Sequence, residues 1–389
     1  MHVGRTVFSQ LMHFAPQQEF RRLVARHEAD YRLRHFSCWD QFLCMAFAQL
    51  TYRESLRDIE VCLRAAPNLY HLGLRSRAIA RSSLADANER RPWRLYADFA
   101  RLLIARAHSL YTHEPFGVEL DHTVYALDST IIDLCLSLCP WARFHHGRGA
   151  IKLHTLLDLR GPIPSFIRIT HGRISDLSTL DHLVYEPGAF YVLDRAYLDF
   201  RRLRRLHQAG AFFVTRSWRN TRVATMQSRS VPAGSGIVKD QLVRFAGVTS
   251  RYDFPAPARR ICYRPSLDVR PLVFLTNHLE LPAFTIAELY RCRWHVELFF
   301  KWIKQHLRIK AFYGRSENSV KTQLWIAISV YLLVAIACKH LQLGVSFHSL
   351  LQVLSLSLQE TAPLPELVAR CNHQPNSIPD DKQLSLFES

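Results

Sequence analysis

The chain has 389 residues, 48% of them hydrophobic, with 50 Lys plus Arg against 33 Asp plus Glu and a formal net charge of +17. That apolar content excludes a disordered chain and suits two or three domains, while the charge points to a polyanionic partner, nucleic acid first, bound through release of counterions from phosphates. Nine cysteines without paired spacing exclude a disulfide framework, and a start lacking an apolar signal-peptide core leads us to expect the cytoplasm.

Over residues 8–110 the apolar positions recur at helical spacing, which predicts an all-helical N-terminal domain over 1–118. Thr51 followed by Glu54 reads as a capping box opening a helix through Leu56, Ile59 and Leu63. A further helix over 83–91, stopped by Pro92, follows the short segment 77–80 and resembles the second helix of a helix-turn-helix. Asn88, Arg90 and Arg91 would then face DNA; the alternative is that Arg90 and Arg91 solvate a helix end.

From Thr123 the texture changes to short β-rich runs at 124–127, 151–157, 165–170, 190–193 and 212–215, with a helical pattern over 198–209. Strands mixed with helices predict an α/β layer, and Gly161-Pro162 the turn of an antiparallel hairpin. Residues 219–277 are again strand-like and read as an inserted β subdomain. A long helix over 284–307 and further helices over 316–358 follow. The longest apolar stretch, 324–338, is short of the ~20 residues that span a bilayer and reads as a buried helix. The expected α/β domain covers 119–345, and a C-terminal helix with a polar tail covers 346–389, disordered from about Asn372.

Asp128 closes the apolar run Val-Tyr-Ala-Leu and Asp194 closes Phe-Tyr-Val-Leu, so each is expected where a buried strand ends. Hard divalent cations prefer oxygen ligands, and a pair of them can clamp the attacking and leaving oxygens of a phosphodiester displacement. Acidic residues also end strands as turn markers or caps, and Asp133, Asp158, Asp176 and Asp199 lie nearby. The third carboxylate has company. In the segment from Tyr290 to Lys304, helical spacing puts Arg293 and Glu297 one turn apart and sets Tyr290 and Lys304 on the same stripe, with Cys292, Phe299 and Ile303 opposite. An ordinary i, i+4 salt bridge is the alternative.

The spacing Tyr-x2-Arg-x3-Glu-x6-Lys, with Asp194-Arg-Ala-Tyr197 and the earlier Asp128, resembles the signature of DDE transposases of bacterial insertion sequences, in the branch numbered family four, over roughly residues 121–343. The resemblance implies an α/β, ribonuclease-H-like catalytic core with an inserted β subdomain, preceded by the helical DNA-binding domain. It implies two Mg2+ ions, replaceable by Mn2+, on Asp128, Asp194 and Glu297, with Tyr290, Arg293 and Lys304 on the phosphates of a 5′ end. The implied reaction nicks the element end to free a 3′-hydroxyl, which attacks target DNA. The implied partners are double-stranded DNA and a second copy of the chain that brings two ends together, at the nucleoid. A nuclease of the same fold that never joins, or a non-catalytic DNA-binding regulator, are the alternatives. No Trp lies between Trp218 and Trp294, which leaves the excision route open.

Three smaller patterns remain. Cys135, Cys139, His145 and His146 lack the spacing of a zinc site, and Cys135 and Cys139 read as the apolar face of a helix. Lys152 and His154 alternate with Asp158 on one strand face, either approaching a phosphate or solvated. Gln383-Leu384-Ser-Leu386-Phe387 resembles the short peptide by which bacterial proteins dock on the replication sliding clamp; folding back onto the chain is the alternative.

Overall fold

The structure is a computed structural model and describes residues 5–31, 35–66, 69–75, 79–112, 114, 116–144, 148–161, 163–266, 268–306, 312–345 and 347–372. His145, His146, Pro162 and the segment 383–387 lie outside the described residues. Six helices come first: α1 (Val7–Met12), α2 (Gln17–Arg26), α3 (Cys38–Leu50), α4 (Leu56–Ala65), α5 (Arg81–Arg90) and α6 (Trp93–Tyr111). The α/β part follows as β1 (Val124–Leu134), β2 (Gly149–Asp158), β3 (Ile163–His171), β4 (Phe190–Leu193), α7 (Phe200–Gln208) and β5 (Phe212–Arg216). Then come β6 (Val223–Ser228), β7 (Ile237–Phe245), α8 (Val248–Asp253), β8 (Ala258–Tyr263) and β9 (Leu272–Thr276). The chain closes with α9 (Ala283–Arg291), α10 (Trp294–His306), α11 (Glu317–His340), α12 (Phe347–Ser357) and α13 (Leu364–Asn372).

Local chemistry moves one predicted helix start. Thr51 ends α3 and turns its hydroxyl back onto the Phe47 carbonyl at 2.7 Å, so it cannot open the next helix. Ser55 does so, accepting the backbone N–H of Asp58, which satisfies one of the orphan donors at a helix start.

The strands form one sheet in the order β3-β2-β1-β4-β5-β9-β8-β7-β6. β1, β2 and β3 are an antiparallel meander, β4 and β5 run parallel to β1, and β9 returns antiparallel to β5. The segment over 219–277 is β-rich as expected, but its strands extend this sheet from β5 through β9 rather than closing a sheet of their own.

Period-2 alternation divides the sheet between two cores. Val124, Ala126, Phe190 and Val192 join a core with Val296, Phe299, Phe300 and Ile303 of α10 and with the N-terminal helices. Tyr125, Leu127, Tyr191 and Leu193 face the other way, onto Leu203 and Leu206 of α7. α11 is long and apolar enough to cross a membrane by composition, yet its apolar stretch is buried inside the protein, against α6, α3 and α5. The boundary expected at 118/119 therefore separates chain segments that share a core.

The predicted DNA-reading face of α5 is corrected. Asn88 and Arg91 are 2% and 6% exposed. Asn88 accepts a hydrogen bond from Gln41 Nε2 at 2.7 Å. Arg91 donates to the carbonyls of Ser37 and Phe36 and to Gln41 Oε1. Both serve to tie α5 to α3, and Asn318 of α11 seals the end of α5 by donating to the carbonyls of Asn88 and Arg91 at 2.9 and 2.7 Å. Arg90 stays at the surface, paired with Asp86 one turn away.

Candidate active site

β1 and β4 bring the first two carboxylates side by side. The last residues paired between these parallel strands are Leu127 and Leu193, so Asp128 and Asp194 are the next residue on each. Neighbouring strands lie about 4.8 Å apart, and alternation turns both away from the α7 side, towards the face covered by α10. Asp128 is not at a strand end: β1 continues to Leu134, with Asp128 opposite Thr155 of β2. Asp194 does leave its strand and opens a short 3-10 turn.

Glu297 arrives on α10. The single helix expected over 284–307 is two helices, broken at Cys292-Arg293 and marked by three i+3 to i hydrogen bonds, Arg293 to Tyr290, His295 to Cys292 and Val296 to Arg293. The break makes Glu297 a first-turn residue of α10, at the positive end of the helix dipole, which favours a carboxylate. It also frees Arg293 from regular helix. One guanidinium nitrogen of Arg293 lies 2.7 Å from Asp128 Oδ2 and another 2.5 Å from Glu297 Oε1. Tyr290 completes the set by donating its hydroxyl to Asp194 Oδ1 at 3.3 Å, with its ring against Phe274. Lys304 is half-buried two turns beyond Glu297 on α10.

The electrostatics follow from this crowding. Burial pushes the Asp128 carboxyl up to about 6, against the pull of Arg293 and the Ser129 N–H, and Asp194 and Glu297 push it further up. Burial works against the charge of Arg293, but Tyr290, Asp128, Glu297 and Asp194 outweigh it and hold the guanidinium charged. Tyr290 is raised to about 12, first by burial, so it stays a hydrogen-bond donor.

Among the described residues, no three His, Cys, Asp or Glu side chains are arranged to hold an ion as they stand. The donor chemistry nevertheless suits a hard divalent cation: three carboxylates gather around one guanidinium, Asp128 and Glu297 in contact with it and Asp194 close enough to hold it charged.

A second polar cluster, of which the sequence singled out Lys152 and His154 but not their link through Asp176 to Ser129, lies behind Asp128 on the opposite face of the sheet. Ser129 Oγ donates to Asp176 Oδ1 at 2.8 Å, and Lys152 Nζ donates to the same oxygen at 3.2 Å. His154 is fully buried, 2.9 Å from Thr170 Oγ1 and 3.6 Å from Asp176, and burial drives its pKa down to about 4. Lys152 and His154 are thus neither solvated nor free for a phosphate, and Asp158 is tied to His108 and Arg160. Asp176 had no distinguishing sequence context; only the return of 172–176 to β1 marks it. Cys135 lies in a loop, exposed, not on a helix face.

Comparison with known proteins gives the family. A family model described as a transposase DDE domain matches residues 119–333, and a domain of unknown function, DUF4372, matches residues 3–75. A protein of Sinorhizobium fredii named as a transposase is 33% identical over 262 residues, covering 66% of this chain and 71% of its own length. A protein of Geobacillus stearothermophilus named as the transposase of insertion sequence element IS5377 is 29% identical over 210 residues, 54% of this chain and 55% of its own. Among solved structures, a piggyBac transposase synaptic complex with hairpin DNA covers 94% of this chain and 82% of that one, at 11% identity and a TM-score of 0.45, too distant to carry an argument about this fold. With the DDE model matching more than half of its length, the chain belongs to the DDE transposase family, the enzymes that cut and join DNA.

Proposed function

We propose that Asp128, Asp194 and Glu297 are the catalytic carboxylates of a transposase that cleaves insertion-sequence ends and joins the 3′-hydroxyl to target DNA, in the branch with the Tyr-Arg-Glu-Lys pattern. The observation that carries this reading is the meeting of the three side chains around Arg293 and Tyr290, from β1, the end of β4 and the first turn of α10. The order β3-β2-β1-β4-β5 supports a ribonuclease-H-like core, with β6 to β9 as its insertion.

The three carboxylates would hold two Mg2+ ions, or Mn2+, which supply charge stabilisation to the attacking and leaving oxygens. The chain's own residues do the rest. Tyr290, Arg293 and Lys304 offer a hydroxyl and two cations to DNA phosphates. Partners in this reading are double-stranded DNA, in keeping with the +17 charge, and a second copy of the chain at the paired ends. The peptide 383–387, with Gln383, Leu384, Leu386 and Phe387, is proposed to dock on the sliding clamp; titrating it against purified clamp, beside a peptide with Gln383, Leu386 and Phe387 changed to Ala, tests this.

The test of the site is an end-cleavage and strand-joining assay. Asp128→Asn, Asp194→Asn and Glu297→Gln should each abolish cleavage and keep end binding. Full cleavage by any one of them sinks the assignment. Cleavage without joining by the unaltered protein would favour a nuclease.

A further inference from the structure

Arg293 stands where the carboxylates most need a cation. It spans two elements, with one nitrogen on Asp128 of β1 and another on Glu297 of α10, and it is only 17% exposed in its side chain. Its guanidinium carbon lies 5.8 Å from the centre of the Tyr290 ring, whose hydroxyl meets Asp194. The remaining nitrogen, Nε, is buried with no acceptor among the described residues, a cost normally avoided, so this seat satisfies the carboxylates better than it satisfies the arginine. The turn between α9 and α10, not a regular helix, carries the residue. Like charges repel steeply in a half-buried site. A divalent ion on Asp128 and Glu297 and a guanidinium bridging the same two groups therefore exclude each other.

We propose that Arg293 is an internal counter-ion: it clasps Asp128 and Glu297 together in the metal-free protein and swings off when divalent cations take the carboxylates, so that it sets the affinity of the site for metal. This rests on the reading of Asp128, Asp194 and Glu297 as metal ligands. The clasp ties β1 to α10 and offsets the repulsion among three neighbouring carboxylates. Linkage makes the coupling reciprocal: a DNA phosphate that draws the guanidinium away tightens metal binding by the same factor by which metal tightens DNA binding. Arg293 is thus both a positioning residue for the carboxylates and, once released, a donor to phosphate.

The experiment is a Mn2+ titration of the full-length, metal-free protein without DNA, read by the electron paramagnetic resonance signal of free Mn2+. Arg293→Gln should bind Mn2+ on the order of tenfold more tightly than the unaltered protein. Arg293→Lys, which keeps the charge but cannot bridge two carboxylates, should fall between them and carries the test if the Gln variant does not fold. A short duplex should tighten Mn2+ binding by the unaltered protein and leave Arg293→Gln unmoved. If both Arg293 variants bind no more tightly than the unaltered protein while Asp128→Asn weakens binding, the counter-ion role is wrong and the metal site stands. If Asp128→Asn binds Mn2+ as the unaltered protein does, the metal-site reading fails, and the counter-ion role with it.

Discussion

Asp128 and Asp194 each follow the last residue that β1 and β4 pair, Leu127 beside Leu193, so strand register alone sets one carboxylate next to the other. Asp194→Glu keeps the charge and moves it by one methylene, and a misplacement near 1 Å at a reacting centre costs on the order of 100-fold. The cleavage rate of element ends should fall by that factor with DNA binding retained. An unchanged rate would mean that Asp194 only marks the turn.

Arg91 is a structural residue, and its removal should register in stability rather than in DNA binding. Arg91→Ala leaves the Ser37 and Phe36 carbonyls and Gln41 without their donor, a loss of about 3 kcal/mol for a buried charged donor. Urea unfolding should show it, while the salt dependence of DNA binding stays as it was. The reverse pattern would return Arg91 to the interface.

The helices and the clustering of the site residues were legible, whereas the break within 284–307 and the burial of Asn88 and Arg91 were not, for separable reasons. Asp128 and Asp194 announce themselves because a run of four apolar residues ends at each, and Glu297 because its spacing to Tyr290, Arg293 and Lys304 is itself a pattern. The break at Cys292-Arg293 has no Pro or Gly to signal it, and the apolar stripe runs through it unbroken. Asn88 and Arg91 look like a polar helix end because the partners that bury them, Gln41 and Asn318, come from α3 and α11. Sequence periodicity shows which face of a helix is apolar; it does not show that polar groups on another face have found distant partners.

His154 gives a pH dependence with a definite sign. Its folded pKa, about 4, lies below the ordinary 6.5 because of burial, with Asp176 pulling it back up. Below pH 6.5 the unfolded chain takes up a proton that the folded one refuses, so stability is lost as pH falls from 6.5 towards 4 and is complete above it. Between pH 7 and 5 the loss amounts to about 2 kcal/mol. His154→Gln should flatten that slope in unfolding experiments, and an identical slope in both proteins would show that another group is responsible.

Asp176 and Lys152 should be coupled. Lys152 Nζ reaches only Asp176 and the Ile174 carbonyl among the described contacts, and its side chain is 12% exposed. Asp176→Asn and Lys152→Met should each destabilise, and the double change should cost less than their sum by on the order of 1–2 kcal/mol. Simple additivity would mean that the pair contributes nothing specific behind Asp128.

The central claim, that Asp128, Asp194 and Glu297 act on DNA through a divalent cation, is tested most directly by exchanging carboxylate for thiolate and comparing metals. Mg2+ binds sulfur poorly and Mn2+ accepts it more readily. Asp128→Cys and Asp194→Cys should cleave no element ends in Mg2+ and regain measurable cleavage in Mn2+, whereas Asp176→Cys should show no such rescue. Cleavage by Asp128→Cys or Asp194→Cys at the unaltered rate in Mg2+ would contradict the account.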